Sequence, residues 1–209
     1  MIYLISGSPR AGKSTLSRKM GEELRVPYLS IDNIRPIVMA YFKGEEAKQR
    51  FPFMHMFDAA KIDEYFQKYS DQEIFAADMK EIESVWLGTE ALIDYLLVCK
   101  MDYILEGIHL LPTLMEKYKN NPDVRIIYLV KTDVEKILAG LYQNTDQHHD
   151  WLMGNTQNEE TIRLAAKSLV IYGKYDATEA KKYGFECINT VDDFVGKLEY
   201  AKDYLLVKK

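Results

Sequence analysis

Cysteine is scarce in this chain, and that scarcity sets the first bound. The two cysteines among its 209 residues, Cys99 and Cys187, lie too far apart for a zinc-ligand spacing and are too few for a disulfide framework. They are expected to be buried thiols of a reducing compartment. No apolar run approaches the roughly 18 residues of a membrane span. No basic leader or cleavage site precedes the first apolar stretch, so the reading is a soluble, cytoplasmic protein with no membrane partner. Excess positive charge is missing too. Lys and Arg total 27 against 32 Asp and Glu, a net charge of −5, which leaves no overall basic footprint for nucleic acid. A local site can still be positive on an acidic protein, so anionic ligands stay open. Internal repeats and low-complexity segments are absent. What remains, 47% hydrophobic and 28% charged residues, suits one α/β domain with room for an inserted subdomain.

One stretch stands out against this ordinary background. Gly7–Ser14 (GSPRAGKS) fits the pattern Gly-x-x-x-x-Gly-Lys-Ser. Gly7 and Gly12 allow the backbone to bend sharply and approach a ligand closely. Through Ser8, Pro9, Arg10 and Ala11 the successive N–H groups of the loop, Pro9 alone lacking one, then converge into a nest for phosphate oxygens. A helix opening at Lys13 adds unpaired N–H groups and its positive dipole end. Lys13 would reach β- and γ-phosphates, and the Ser14 hydroxyl would take a place on Mg²⁺. The context fits this chemistry. Met1–Ser6 reads as a buried strand, and Leu16, Met20 and Leu24 recur at helical spacing beyond Thr15. The stretch predicts a nucleotide-phosphate site.

The rest of the chain alternates strands and helices. Strands are expected at Val26–Ile31, Asp102–Glu106, Val124–Val130 and Phe185–Ile188, the fourth strand of the chain being buried on both faces. Helices are expected from Asn33 towards Phe42, from Ser70 to Cys99, across Thr113–Lys119, from Thr132 towards Tyr142, after Thr156, and along Phe194–Leu205. Ser70 with Glu73, Thr132 with Glu135 and Thr156 with Glu159 form capping boxes. Phe75, Met79, Ile82, Trp86, Ile93 and Leu97 mark the core face of the long helix. Glu45–Ser70 reads as short helices and loops. This alternation implies a parallel sheet with right-handed crossovers, and ligands sit beyond the carboxyl ends of such strands.

The strand ends therefore nominate the remaining site residues. Asp32 can orient a substrate hydroxyl or accept its proton, or simply cap a helix. Arg35, one turn on, can hold an anion in its planar fork. Glu106 closes an apolar strand, where a carboxylate can hold Mg²⁺ directly or through water. Gly107 lets the chain turn beside the substrate, and His109 can donate to a phosphate or carboxylate. Between 132 and 160 a lid is expected, yet that span holds no arginine and only Lys136 beside six acidic residues. Arg10 or Arg163 would then supply the missing positive charge, with Lys167 one turn beyond Arg163. His148 and His149, with Asp146 and Asp150, read as a polar loop rather than a metal site.

At these residues the chain resembles the P-loop small-molecule kinases, the broad group of nucleoside-monophosphate, shikimate and gluconate kinases. The tract ILEGIHLLP (Ile104–Pro112) resembles the corresponding segment of 2-phosphoglycerate kinases. The resemblance implies a three-layer α/β fold with a five-stranded parallel sheet of order 2-3-1-4-5, and it implies ATP and Mg²⁺. It also implies a helical substrate-binding insertion over 44–100, with Arg50 and His55 as substrate contacts, and Asn189 and Thr190 lying against the adenine. An acidic residue placed like Asp32 contacts the substrate hydroxyl in that group. The expectation is phosphoryl transfer to a small, anionic metabolite. Two alternatives stand beside it: a nucleoside or nucleotide kinase whose Tyr and Phe side chains stack a base, and an ATP-binding regulatory module without turnover. The absence of a guanine-specifying Asn-Lys-x-Asp argues against a GTPase switch. Monomer and homodimer are both open.

Overall fold

The computed structural model describes residues 1–143 and 150–207. Five strands, β1 (Ile2–Gly7), β2 (Tyr28–Ser30), β3 (Tyr103–Glu106), β4 (Val124–Val130) and β5 (Cys187–Asn189), form one parallel sheet in the order β2-β3-β1-β4-β5. β1 is central, with Ile5 opposite Glu106 on one side and Ile127 on the other. Its neighbour β4 buries every residue but Arg125, as a strand covered on both faces must.

Ten helices surround the sheet among the described residues: α1 (Lys13–Leu24), α2 (Ile34–Met39), α3 (Gly44–Arg50), α4 (Pro52–Met56), α5 (Ile62–Lys68), α6 (Asp71–Val98), α7 (Pro112–Met115), α8 (Val134–Gln143), α9 (Glu159–Lys182) and α10 (Phe194–Leu206). On one face Leu16 and Met20 of α1 and Leu198, Ala201 and Leu205 of α10 pack against Ile5, Ile104 and Ile127. On the other, Ile93 and Leu96 of α6, Met115 and Ala180 pack with Leu4, Leu105 and Tyr128. A third cluster lies apart from these two. Tyr65 and Phe66 of α5 meet Ile137, Leu141, Leu152, Ile162 and Leu169, so the segment after β2 and the segment after β4 share one apolar roof.

Several local expectations need correction. The edge strand β2 is only three residues long, and Ile31–Asn33 form a 3₁₀ turn before α2. The segment after Pro112 is one α turn followed by a 3₁₀ turn over Glu116–Tyr118. The Ser70–Glu73 capping box is present with both reciprocal bonds. The other two are not. Asp133 Oδ1 accepts from Lys136 N at 2.9 Å, and Asn158 caps α9. The threonine hydroxyls are engaged elsewhere: Thr132 Oγ1 accepts from Asn189 Nδ2, and Thr156 Oγ1 donates to Asp63 at 2.6 Å. Asp133 and Asn158 stand directly before the first helical residue and are intrinsically better caps than threonine, so they take the position. Cys99 is exposed at the end of α6 and Cys187 half-buried, against the expected pair of buried thiols. Of the expected stripe on α6, Ile82 and Ile93 are buried and Trp86 and Leu97 pack against the core. The buried face also takes in Ile74, Ala77, Asp78, Glu81, Val85, Thr89 and Leu96, two carboxylates among them.

Candidate active site

The Gly7–Ser14 loop has the backbone its glycines were expected to allow. Gly7 sits at φ +117°, where a Cβ would lie 1.8 Å from Leu129 O on the adjacent strand. Gly12 sits at φ +99°, and a Cβ there would meet the Phe194 ring at 2.8 Å. Arg10 itself adopts a left-handed φ of 63°. Ser8 N donates to Leu129 O at 3.0 Å, while Ser8 Oγ accepts from Lys131 N at 2.9 Å, tying the loop to the end of β4. Thr190 Oγ1 donates to Ala11 O at 3.0 Å and closes the third side. Gly12 offers α1 no side-chain cap, so the helix's first N–H groups stay open to an anion.

Lys13, 7% exposed, donates from Nζ to Ser8 O at 2.7 Å. Burial lowers its pKa, and Glu106, Asp32 and Asp176 oppose that shift. Ser14 Oγ donates to Glu106 Oε1 at 3.2 Å across the gap between α1 and β3. Glu106 is 5% exposed; burial raises its pKa while Lys13 pulls it down. A hydroxyl and a buried carboxylate beside an open anion nest are the oxygen ligands that suit Mg²⁺ shared with phosphate. These residues fit a Mg·nucleotide.

Asp176 on α9 lies beneath the same lysine, and burial pushes its carboxyl up to about 7, with Lys13 opposing. A carboxyl whose folded pKa is raised holds a proton that the unfolded chain releases. Stability from this group therefore falls as pH rises from about 4 to about 7 and is level above. Asp176→Asn is expected to stabilise the fold by on the order of 4 kcal/mol at pH 8 and by little at pH 4. Thermal melts of both proteins across that range check it; a gain that does not depend on pH would refute the assignment.

Facing the loop, the 3₁₀ turn after β2 presents Asp32, whose side chain is 55% exposed. Burial of its surroundings raises the Asp32 pKa, but His109, Lys13 and Arg35 outweigh it and hold the carboxyl below its usual range. His109 is 1% exposed; its Nδ1 lies 3.0 Å from Asp32 Oδ1 and its Nε2 touches Arg35 Nη2. Arg35 Nη2 also donates to Asp78 Oδ1 at 2.8 Å, and Arg35 Nε lies 3.5 Å from Glu81 Oε2. Glu81 Oε1 accepts from Met54 N at 2.7 Å, and burial pushes this carboxyl up to about 7. Asp78 and Glu81 had no place in the sequence reading. Their signal was an acidic pair three residues apart on the apolar side of a long helix.

Both halves open into one cavity of about 1080 Å³, lined by Pro9, Arg10, Gly12, Lys13, Ser14 and Thr15 at one end and by Asp32, Arg35 and Asp78 at the other. Glu106, Lys131, Lys136 and Thr190 also line it. Gly7, Ser8, Ala11, Gly107 and His109 do not line it themselves but belong to the loop and strand ends that frame it, whereas four other expected site residues lie away from it. Arg50 pairs with the exposed Glu46 at 3.0 Å and lies over the half-buried Phe42 ring. His55 on α4 is exposed away from the cavity. Arg163 pairs with Glu135 at 2.7 Å at the exposed start of α9. Asn189 turns towards Thr132 instead. Of the proposed cations, Arg10 is the one at hand: it makes two bonds to Asp150, at 2.6 and 2.7 Å, and lies 5.9 Å from the Trp151 ring centre. Asp150, 1% exposed, also accepts from Leu152 N and Met153 N. Asp146, His148 and His149 lie outside the described residues.

No protein-family model matches the chain. It is similar to a 2-phosphoglycerate kinase of Methanococcus maripaludis strain C5, 26% identical over 142 residues that cover 65% of this chain and 44% of that protein. A second, of Methanocaldococcus jannaschii, is 28% identical over 131 residues, 62% of this chain and 41% of that protein. The chain thus spans less than half the length of these curated relatives. Among solved structures, shikimate kinase from Acinetobacter baumannii in complex with shikimate superposes with a TM-score of 0.47 at 18% identity, over 99% of this chain and 94% of that one. Deoxyadenosine kinase from M. mycoides superposes with a TM-score of 0.43 at 14% identity, over 98% of each chain. With a glycine loop between its central strand and α1, and strands in the order β2-β3-β1-β4-β5, the chain has the three-layer P-loop NTPase fold and resembles the P-loop small-molecule kinases, 2-phosphoglycerate kinases among them.

Proposed function

We propose that this chain transfers the γ-phosphoryl group of Mg·ATP to a hydroxyl of a small-molecule acceptor. One observation carries the reading: Lys13 and the Ser14–Glu106 pair share a single cavity with Asp32. The nucleotide would supply the phosphoryl group, and Mg²⁺ would neutralise charge between its phosphates. Ser14 and Glu106 would hold the metal, and the loop N–H groups would hold the phosphate chain. Lys13, and Arg10 if it leaves Asp150, would stabilise charge on the γ-phosphoryl group. The acceptor oxygen forms its bond to phosphorus as the bridging P–O bond breaks, ADP leaves, and the hydroxyl proton passes by way of Asp32 to solvent. The depressed pKa of Asp32 makes it a weak base but a permanent acceptor, so its main task is to orient the hydroxyl. The described parts of the segment after β4, 132–143 and 150–160, would flank the site, with Asp150 and Trp151 holding Arg10 until the phosphate draws it away.

The test has two parts. Calorimetry should register binding of Mg·ATP, and γ-labelled ATP should pass its label to an added alcohol. Asp32→Asn is expected to cut the rate at saturating acceptor by about 10² to 10³ while changing KM little. A change confined to KM would remove Asp32 from the chemical step. Tight nucleotide binding without transfer to any acceptor would favour an ATP-binding regulatory module instead.

A further inference from the structure

We infer that the acceptor is an uncharged, ring-bearing alcohol of nucleoside size, rather than a phosphate- or carboxylate-bearing metabolite. This rests on the phosphoryl-transfer reading above and narrows its substrate class. The first ground is charge. An anionic acceptor needs at least one cation that is not already compensated. At the acceptor end of the cavity the cation among the described residues is Arg35, and it lies between two almost fully buried carboxylates, Asp78 and Glu81. Asp32 adds a further negative charge at its other side through His109. The remaining lining cations belong to other tasks. Lys13 is in the phosphate loop, Arg10 is clamped by Asp150, Lys131 lies over the Phe194 ring, and Lys136 is 3.6 Å from Asp192. Residues 144–149 contain no lysine or arginine to add. A phosphate placed beside Arg35 would confront Asp78 and Asp32 at close range, and would have to pull the guanidinium from its buried partners. Leaving a buried carboxylate without its partner is itself costly.

The second ground is the wall. Phe53, Phe57, Tyr65, Phe66, Trp151 and Tyr172 all line the cavity. Phe53 and Phe57 stack with their planes 6° apart, Tyr65 stands edge-on to Phe57 at 5.3 Å, and Trp151 stands edge-on to Phe57 at 6.0 Å. Such a wall offers flat apolar surface and ring faces, which favour a planar ring and give nothing to an anion. The third ground is a hydroxyl without a partner. Tyr65 is 4% exposed, and its buried OH makes no hydrogen bond to the protein. Burial first, and then Asp78, raise its pKa, so it stays protonated as a donor. Asp78 is already taken by Arg35 and by the Tyr172 hydroxyl, so the Tyr65 hydroxyl is a spare donor in this wall, which a ring nitrogen or carbonyl of a neutral ligand can accept once the side chain turns to meet it.

The experiment uses the full chain with Mg·ATP. Adenosine, cytidine and thymidine stand for the proposed class, and 2-phosphoglycerate for the anionic one. Binding is read by calorimetry and transfer by label. At least one nucleoside is expected to bind, and to be phosphorylated with kcat/KM at least 100-fold above that of 2-phosphoglycerate. Equal or better use of 2-phosphoglycerate overturns the inference and leaves the phosphoryl-transfer reading standing. Nucleoside binding without transfer overturns that reading and keeps the pocket assignment. Binding of neither class overturns the assignment. Two variants test its cause. Asp78→Asn with Glu81→Gln frees Arg35 and should improve 2-phosphoglycerate binding at least 10-fold relative to the nucleoside. Tyr65→Phe, which keeps the ring and is expected to fold, should raise nucleoside KM about 5- to 10-fold with kcat nearly unchanged. An unchanged KM in Tyr65→Phe, whatever the behaviour of the double variant, removes the hydroxyl from recognition.

Discussion

Lys13→Ala is expected to lower kcat/KM for phosphoryl transfer by about 10³-fold or more, with the fold intact. The two halves of that expectation have separate causes. Nζ is held inside the loop by Ser8 O at 2.7 Å, among Glu106, Asp32 and Asp176, so no other ammonium can take its place. A point charge there is worth most where water is excluded, and Lys13 is 7% exposed. Stability should fall only moderately: Glu106 and Asp176 lose a partner, but the cost of burying the cation goes too, and both carboxyls, already raised by burial, can take up a proton instead. Circular dichroism and thermal melting check the fold, and single-turnover transfer of labelled phosphate checks the chemistry. Wild-type turnover in this variant would sink the assignment of the loop.

Gly7→Ala is expected to act on the fold rather than on the chemistry, with a loss of about 4 kcal/mol. Two penalties add. A φ of +117° is strained for any L side chain, and the new methyl would lie 1.8 Å from Leu129 O and 2.7 Å from its carbonyl carbon. That neighbour is backbone in β4, paired with β1 at this position and bonded to Ser8 N, so relief requires parting the two central strands. Gly44→Ala is the internal control. Its φ is +59°, but nothing lies within 4 Å of the added Cβ, so only the conformational cost of about 1 kcal/mol should appear. Urea unfolding of the three proteins measures the difference. Equal losses at the two glycines would show that contact with β4 contributes nothing.

The same contrast separates what could be read in the chain from what could not. The sequence by itself determined the phosphate loop, the central strands and the long capped helix. Each is specified by neighbours within about ten residues: glycines at fixed spacing, the unbroken apolar run Val124–Val130, and Ser70 with Glu73. It also pointed to Asp32, Arg35, Glu106 and His109, because residues just beyond parallel strands converge whatever the loops do. Tertiary structure decided the rest. Whether Arg35 is free or neutralised depends on Asp78 and Glu81, 43 and 46 positions further along and turned inward by the packing of α6. Arg163 and Arg50 carry the right charge but find Glu135 and Glu46 at the surface, while Arg10 meets Asp150, 140 residues away. Charge is a property of a residue, but its availability to a ligand is set by partners distant in the chain, and only the folded arrangement brings those partners together.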